Sequence, residues 1–134
     1  MHGKIDPGDL LKQAWRARDN AYTPYSNFAV GAALLTSSEK IFLGCNVENI
    51  SFGLTICAER VAAAAAVQAG DREFVAIAIV ADTVVPIVPC GACRQFLAEF
   101  NPELMIFREG KNRNLRESSL RVLLPFPKEG MLEL

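Results

Sequence analysis

The sequence predicts an α/β sandwich in one domain spanning residues 1–134. Three observations carry this. Apolar runs of strand length alternate with helical segments through the middle of the chain, the pattern of helices packed on a sheet. With 51 % apolar residues in 134, the chain can bury one core and has no room for several. The last two strand-like runs are joined by about three residues, and a parallel crossover needs a dozen or more, so that pair is antiparallel.

Asp6-Pro7 is a helix start, and Leu10, Leu11, Ala14, Trp15 and Ala17 recur at helical spacing up to Asn20. Ala29 to Leu35 and Lys40 to Cys45 are strand-length runs around the polar turn Thr36-Ser37-Ser38-Glu39, which predicts a hairpin followed by a loop over 46–56. Cys57 to Ala69 contains five consecutive alanines and stops at Gly70, a helix of high intrinsic propensity. Phe74 to Ala81 is a buried strand, and Pro86 and Pro89 interrupt the chain before a third helix from about Gly91 to Phe100. Leu104 to Arg108 and Asn112 to Arg116 read as strands around Glu109-Gly110-Lys111. Ser118 or Ser119 is placed to cap a last short helix ending before Pro125. The predicted order is αββαβαββα.

Fourteen basic and fifteen acidic residues give a net charge of −1, with no basic tract to neutralise a phosphate backbone, so polynucleotide substrates are disfavoured. No charged and apolar leader opens the sequence, and its longest apolar runs are too short to span a bilayer; a cytoplasmic protein without membrane partners is expected. Four cysteines in such a protein read as metal or redox chemistry before disulfides.

The chemistry concentrates in Cys57-Ala58-Glu59-Arg60 and, 33 residues after Cys57, Pro89-Cys90-Gly91-Ala92-Cys93. Cys57, Cys90 and Cys93 supply three soft anionic ligands, which leaves a tetrahedral zinc shell one ligand short, as in catalytic sites. A structural site needs a fourth ligand, and the candidates are poor: Cys45 ends a core strand, and His2 is the only histidine, near the terminus. A redox Cys-x-x-Cys has no use for Cys57-x-Glu59 upstream. Glu59 stands in the first turn of its helix, within reach of a water at the metal, and is the candidate proton carrier. Arg60, three residues from Cys57 on one helical face, is the candidate counter-charge to three thiolates, with Arg94 beside Cys93 the weaker competitor. Asn46 and Glu48 flank Val47 at a strand end and point the same way.

These motifs resemble the zinc-dependent nucleoside deaminases, and within them the homotetrameric cytidine deaminases that use Cys in the first ligand slot. The resemblance also covers Pro24-Tyr25-Ser26-Asn27-Phe28-Ala29-Val30-Gly31-Ala32-Ala33, Gly44-Cys45-Asn46-Val47-Glu48-Asn49 and Leu123-Leu124-Pro125. It implies a three-layer sandwich, a five-stranded mixed sheet with helices on both faces. It implies hydrolysis of cytidine and 2'-deoxycytidine to the uridine and ammonia, in pyrimidine salvage, with one zinc per chain and Glu59 as catalytic residue. Phe28 would pack on the pyrimidine, Asn46 and Glu48 would bond the ribose, chiefly its 3'-hydroxyl, and the Ala58 carbonyl would accept from the exocyclic amine. A homotetramer is implied, in which Phe52, at a position often Tyr, and Phe126, in an altered C-terminal pattern, enter a neighbour's site. The short last hairpin goes, in this resemblance, with free-nucleoside enzymes and against nucleic-acid editors. The alternatives are deamination of a modified cytosine nucleoside such as blasticidin S, and a non-catalytic zinc-binding interaction protein of the same fold.

Overall fold

A computed structural model describes residues 5–129. Helix α1, Pro7–Arg18, begins where the Asp6 side chain accepts from the Gly8 and Asp9 amides at 3.0 and 3.4 Å, with proline in the first turn where its missing N–H costs nothing. Strands β1 (Val30–Thr36) and β2 (Ile41–Cys45) form the hairpin, and α2 (Ala58–Gln68) follows after a short 3-10 turn at Phe52–Leu54. Strand β3 (Phe74–Ala81) and helix α3 (Gly91–Ala98) lead into β4 (Met105–Glu109), β5 (Leu115–Ser119) and the single-turn α4 (Leu120–Leu123).

The five strands lie in the order β2-β1-β3-β4-β5, with β3 and β4 parallel and every other pair antiparallel. This mixed sheet has a core on each face. Val30, Ala32, Leu34, Ile77, Ile79 and Ile106 pack under α2 and α3, while Ala33, Ala76, Ala78, Val80 and Phe107 pack under α1. The alternation is hidden in β1 and β3 because both their faces are buried, so each of these two strands reads as one nearly continuous apolar run.

Two glycines set how closely the helices approach. A Cβ on Gly31 would lie 2.0 Å from the Ala14 carbonyl oxygen, and one on Gly44 would lie 2.2 Å from that of Ala58. Helices α1 and α2 therefore rest on bare strand backbone on opposite faces. Ala62, Ala63 and Ala66 are buried in the α2 interface, whereas Ala64 and Ala65 are exposed, so much of the alanine run serves packing inside the chain.

Two expectations need correction. The last strand is Leu115–Ser119, not Asn112 to Arg116, because 110–114 form a turn tied to the end of β3. Lys111 N–H donates to the Thr83 carbonyl at 2.8 Å, Arg113 N–H donates to Gly110 at 3.1 Å, and Arg113 takes a left-handed φ of 59°. Asn112-Arg113-Asn114 is turn chemistry, and β5, an edge strand carrying Arg116 and Glu117, has little apolar signal to mark it. The antiparallel pairing inferred from the short connector holds. Ser119 does precede α4, but its side chain makes no capping bond.

Gly44→Ala is expected to lose about 2 kcal/mol or more in urea unfolding, because the atoms it meets are helix backbone and cannot rotate away. Gly53→Ala, with nothing within 4 Å, should stay within about 0.5 kcal/mol of wild type.

Candidate metal centre and substrate loop

Cys57 is the N-cap residue of α2 and Cys90 that of α3, with Cys93 in the first turn of α3. Neither N-cap cysteine uses its side chain to cap, so both sulfurs are free to face a common point. The three Sγ atoms lie within 4.8 Å of one another, and Cys57 and Cys90 are 3.8 Å apart, far too long for a disulfide. A tetrahedron with Zn–S bonds of about 2.3 Å has edges of about 3.8 Å, so the spacing suits zinc. Among the described residues no further His, Cys, Asp or Glu joins this group, and the fourth vertex has no protein ligand. Cys45 is half-buried at the end of β2 with its thiol pushed up by burial, which fits a small apolar filler. His2 lies outside the described residues, as does Gly130 of the C-terminal pattern.

The electrostatics follow from placing two helix N-termini against three sulfurs. Without metal, the Cys57 thiol is lowered to about 5, first by the hydrogen bond it receives from Cys93, then by Arg60 and Cys90. The Cys93 thiol is pushed up, because it donates to Cys57, is fully buried and faces Glu59. Arg60 Nη2 lies 3.5 Å from Cys57 Sγ, and that bond raises the guanidinium further. Its Nε is buried without a partner.

Glu59 is only 4 % exposed and, with Thr36 and Asn46, is one of three buried polar residues described. Burial first, then the Cys57 charge, pushes its carboxyl up to about 7. Without metal it thus titrates near neutral pH, the range in which a carboxyl can both hold and release a proton as a general acid and base requires.

Arg94, the weaker candidate for counter-charge, has other work. Its Nε donates to the Pro89 carbonyl at 2.8 Å and its Nη1 to that of Leu123 at 3.0 Å. It therefore ties the turn before Cys90 to the segment that leads to Phe126, and Gln95 Nε2 adds a bond to Pro127 at 3.2 Å. No sequence signal distinguishes such a clamp from a surface arginine, since the Leu123 carbonyl it joins to the nearby Pro89 is remote in the chain.

The substrate-loop candidates converge through one residue. Val47 bridges Tyr22 on one side and Ile56 on the other, which lays the 22–30 segment, Asn46-Val47-Glu48 and Ile56-Cys57 side by side. Asn46 accepts from Val30 N–H at 2.9 Å and donates to the Phe28 carbonyl at 2.8 Å. Glu48 accepts from the amides of Tyr25 and Ser26 at 3.0 and 3.2 Å and from the Ser26 hydroxyl, which holds its carboxyl below the usual range. Both side chains reach the same loop, as their spacing predicts, and they build it as well as lining it. Each keeps polar capacity: an amide hydrogen on Asn46 and lone pairs on Glu48.

Phe28 is 39 % exposed, beside that loop. The Ala58 carbonyl does not fit the role of acceptor for an amine, since it faces Gly44 in the α2–β2 packing and, like all helix carbonyls, points away from the N-terminal end. What Ala58 offers instead is its first-turn N–H, which has no intrahelical acceptor. Phe52 stands edge-on to Tyr25 with ring centroids 6.0 Å apart and is 72 % exposed, and Phe126 is 73 % exposed. Within one chain, neither is enclosed.

The profile of the cytidine and deoxycytidylate deaminase zinc-binding region matches residues 6–109. A cytidine deaminase of Sporosarcina psychrophila is 45 % identical over 130 residues, covering 95 % of this chain and 96 % of the relative. One of Halalkalibacterium halodurans is 48 % identical over 122 residues, covering 90 % and 92 %. Among solved structures, the cytidine deaminase from Burkholderia pseudomallei superposes with a TM-score of 0.88 at 49 % identity, over 90 % of this chain and 98 % of that one. That from Mycobacterium tuberculosis superposes at 0.80 and 40 % identity, over 91 % and 96 %.

In chelator-treated protein, Glu59→Gln is expected to stabilise the fold in a pH-dependent way. Because the folded carboxyl titrates near 7 and its model value is 4.5, the folded state holds the proton more tightly, and wild type loses stability as pH rises between those values. The advantage of Gln should be small at pH 4, grow through pH 5–7, and level at on the order of 3 kcal/mol above pH 8. Urea midpoints for both proteins across that range check it.

Proposed function

The chain belongs to the cytidine and deoxycytidylate deaminase zinc-binding family, and on that premise we propose that it hydrolyses cytidine and 2'-deoxycytidine to the corresponding uridine and ammonia. The observation that carries this is the buried Glu59 beside a three-sulfur cluster whose fourth vertex has no protein ligand. A purely structural metal site gains nothing from a buried carboxyl placed against sulfur charge, which argues against the non-catalytic reading.

Cys57, Cys90 and Cys93 would hold one zinc per chain. When bound there, zinc supplies a Lewis acid that lowers the pKa of a coordinated water toward neutrality. Glu59 takes a proton from the attacking water and delivers it to the ring nitrogen next to C4. It then carries the proton of the new C4 hydroxyl to the amine, and the C4–N bond breaks to release ammonia as C4 becomes the carbonyl carbon. Arg60, at 3.5 Å from Cys57 Sγ, offsets the negative charge of the sulfurs, without which the water would be a weaker acid. Phe28 packs on the pyrimidine, with Asn46 holding its carbonyl, and the Ala58 N–H is available to a ring oxygen. The free capacity of Asn46 and Glu48 takes ribose hydroxyls, which favours a plain nucleoside over an antibiotic such as blasticidin S.

The site reading extends to assembly. Ile50, Phe52 and Leu54 are 80, 72 and 66 % exposed beside the substrate loop, a run of large apolar side chains that calls for a cover. We assign that cover to further copies of the chain in a homotetramer, with Phe52 and Phe126 entering a neighbour's site. Among the described residues no helix is long and apolar enough to cross a membrane. The proposed setting is the cytoplasm, where thiols stay reduced, and the proposed role is salvage of pyrimidines.

Purified protein should contain one zinc per chain by elemental analysis, and Cys90→Ala should lose it. Glu59→Ala should keep the zinc while turnover of cytidine, followed by ultraviolet absorbance, falls about 1,000-fold or more. Substantial activity in that variant would remove Glu59 from the mechanism.

Sedimentation should find tetramers at assay concentration. Mixing inactive Glu59→Ala with inactive Phe52→Ala protein under subunit exchange should restore part of the turnover, since each supplies what the other's sites lack. A fully active monomer would contradict the shared site.

A further inference from the structure

On the α1 face of the sheet, remote from the cysteine cluster, lies a cleft of about 490 Å³ lined by Lys12, Trp15, Arg16, Arg18, Asp19, Asp82, Lys111 and Arg113. Five cations face two carboxylates, with a third, Glu109, paired with Arg113, so positive charge is in excess here in a chain whose overall net charge is −1. The proposed substrate is an uncharged nucleoside, and none of these residues belongs to its site. The cations therefore have no role in the reaction described above.

Part of the cleft is built and held. Trp15 Nε1 donates to Glu109 Oε1 at 2.7 Å, and the Arg113 guanidinium lies over the Trp15 ring at 4.0 Å while also pairing with Glu109 at 3.7 Å. Arg113 makes these contacts from the left-handed region at φ 59°, an uncommon conformation for a residue with a long side chain. The turn carrying Lys111 and Arg113 is fixed by the Lys111 N–H bond to Thr83 at 2.8 Å and by Gly110, where a Cβ would meet the Thr83 carbonyl at 2.3 Å. Arg18 is fixed by its bond to the Ala29 carbonyl at 3.2 Å. Lys12 and Arg16 stand one helical turn apart on α1, across from Lys111.

We propose that this cleft binds a small anion bearing two or more linked phosphates. Arginine forks match phosphate oxygens pairwise, and several cations spread over a cleft of this size require a ligand whose negative charge is spread likewise. A single monoanion would meet only one or two of them. A polynucleotide wants a long basic track, whereas these cations are gathered in one cleft bounded by Asp19 and Asp82.

The test is calorimetric titration of the zinc-loaded protein with tripolyphosphate at low salt. One site per chain is expected, with Kd roughly 10 µM. The double charge reversal Arg16→Glu/Lys111→Glu should weaken binding about tenfold or more, and Lys40→Glu/Arg72→Glu, which changes the net charge equally on another surface, should not. Binding at the zinc cluster would be the same in both variants, so equal affinities overturn the assignment, as does the absence of binding to wild type. A nucleoside triphosphate that binds more tightly than tripolyphosphate would identify a nucleotide as the source of the phosphates, and equal affinity the phosphate chain alone. An oligothymidylate that binds more tightly per phosphate than either would overturn the small-ligand assignment.

Discussion

The constraint on which the rest of this structure depends is electrostatic: three sulfurs and a carboxyl must be kept together, with Cys93 and Glu59 buried out of water. Like charges at such distances repel by several kcal/mol in a medium of reduced dielectric, so the fold has to bring positive potential to the same place. It does so with the N-termini of α2 and α3, where Cys57 and Cys90 hold the N-cap positions with their sulfurs free, and with Arg60 on the first turn of α2. The sheet follows from that need. Helix α2 reaches its position because Gly44 lets it lie on β2, and α3 reaches its own as the crossover between the parallel strands β3 and β4.

The loop built from the 22–30 segment depends on the same neighbourhood by a different route. Val47 is the central rung of a small ladder between Tyr22 and Ile56, so the segment carrying Phe28 is registered against the residue preceding Cys57. Asn46 and Glu48 then hold the loop by its backbone. A residue engaged in this way is stiff before any ligand arrives, and less ordering remains to oppose binding.

Much of this was legible in the sequence because the relevant signals are local. Helix starts at Asp6-Pro7 and Cys57, the uninterrupted strand Phe74–Ala81 and the Cys-x-Glu with Cys-x-x-Cys spacing depend on neighbours a few residues away. What escaped depends on distant partners. The start of β5 is set by bonds from Lys111 and Asn114 to the carbonyls of Thr83 and Val84. The Ala62–Ala66 run marks a helix in the sequence but not its partner: small residues suit close packing within a chain as well as between chains, and the burial of Ala62, Ala63 and Ala66 inside the chain assigns them to the first.

Arg60 and Arg94 illustrate how two arginines beside cysteines take different work. Arg60 directs its guanidinium at a sulfur, and its effect is on charge. Arg94 bonds two carbonyls, Pro89 before Cys90 and Leu123 before the C-terminal segment, and its effect is on position. Planar, fixed donors make arginine suited to such a bridge, and lysine would hold one carbonyl or the other. The turn that presents Cys90 and the segment that presents Phe126 are thereby one mechanical unit, so a displacement of the C-terminal segment is transmitted to the exposed cysteine of the cluster. If Phe126 enters a neighbouring site, that contact is connected through Arg94 to the metal loop of its own chain, and assembly and metal retention become linked properties.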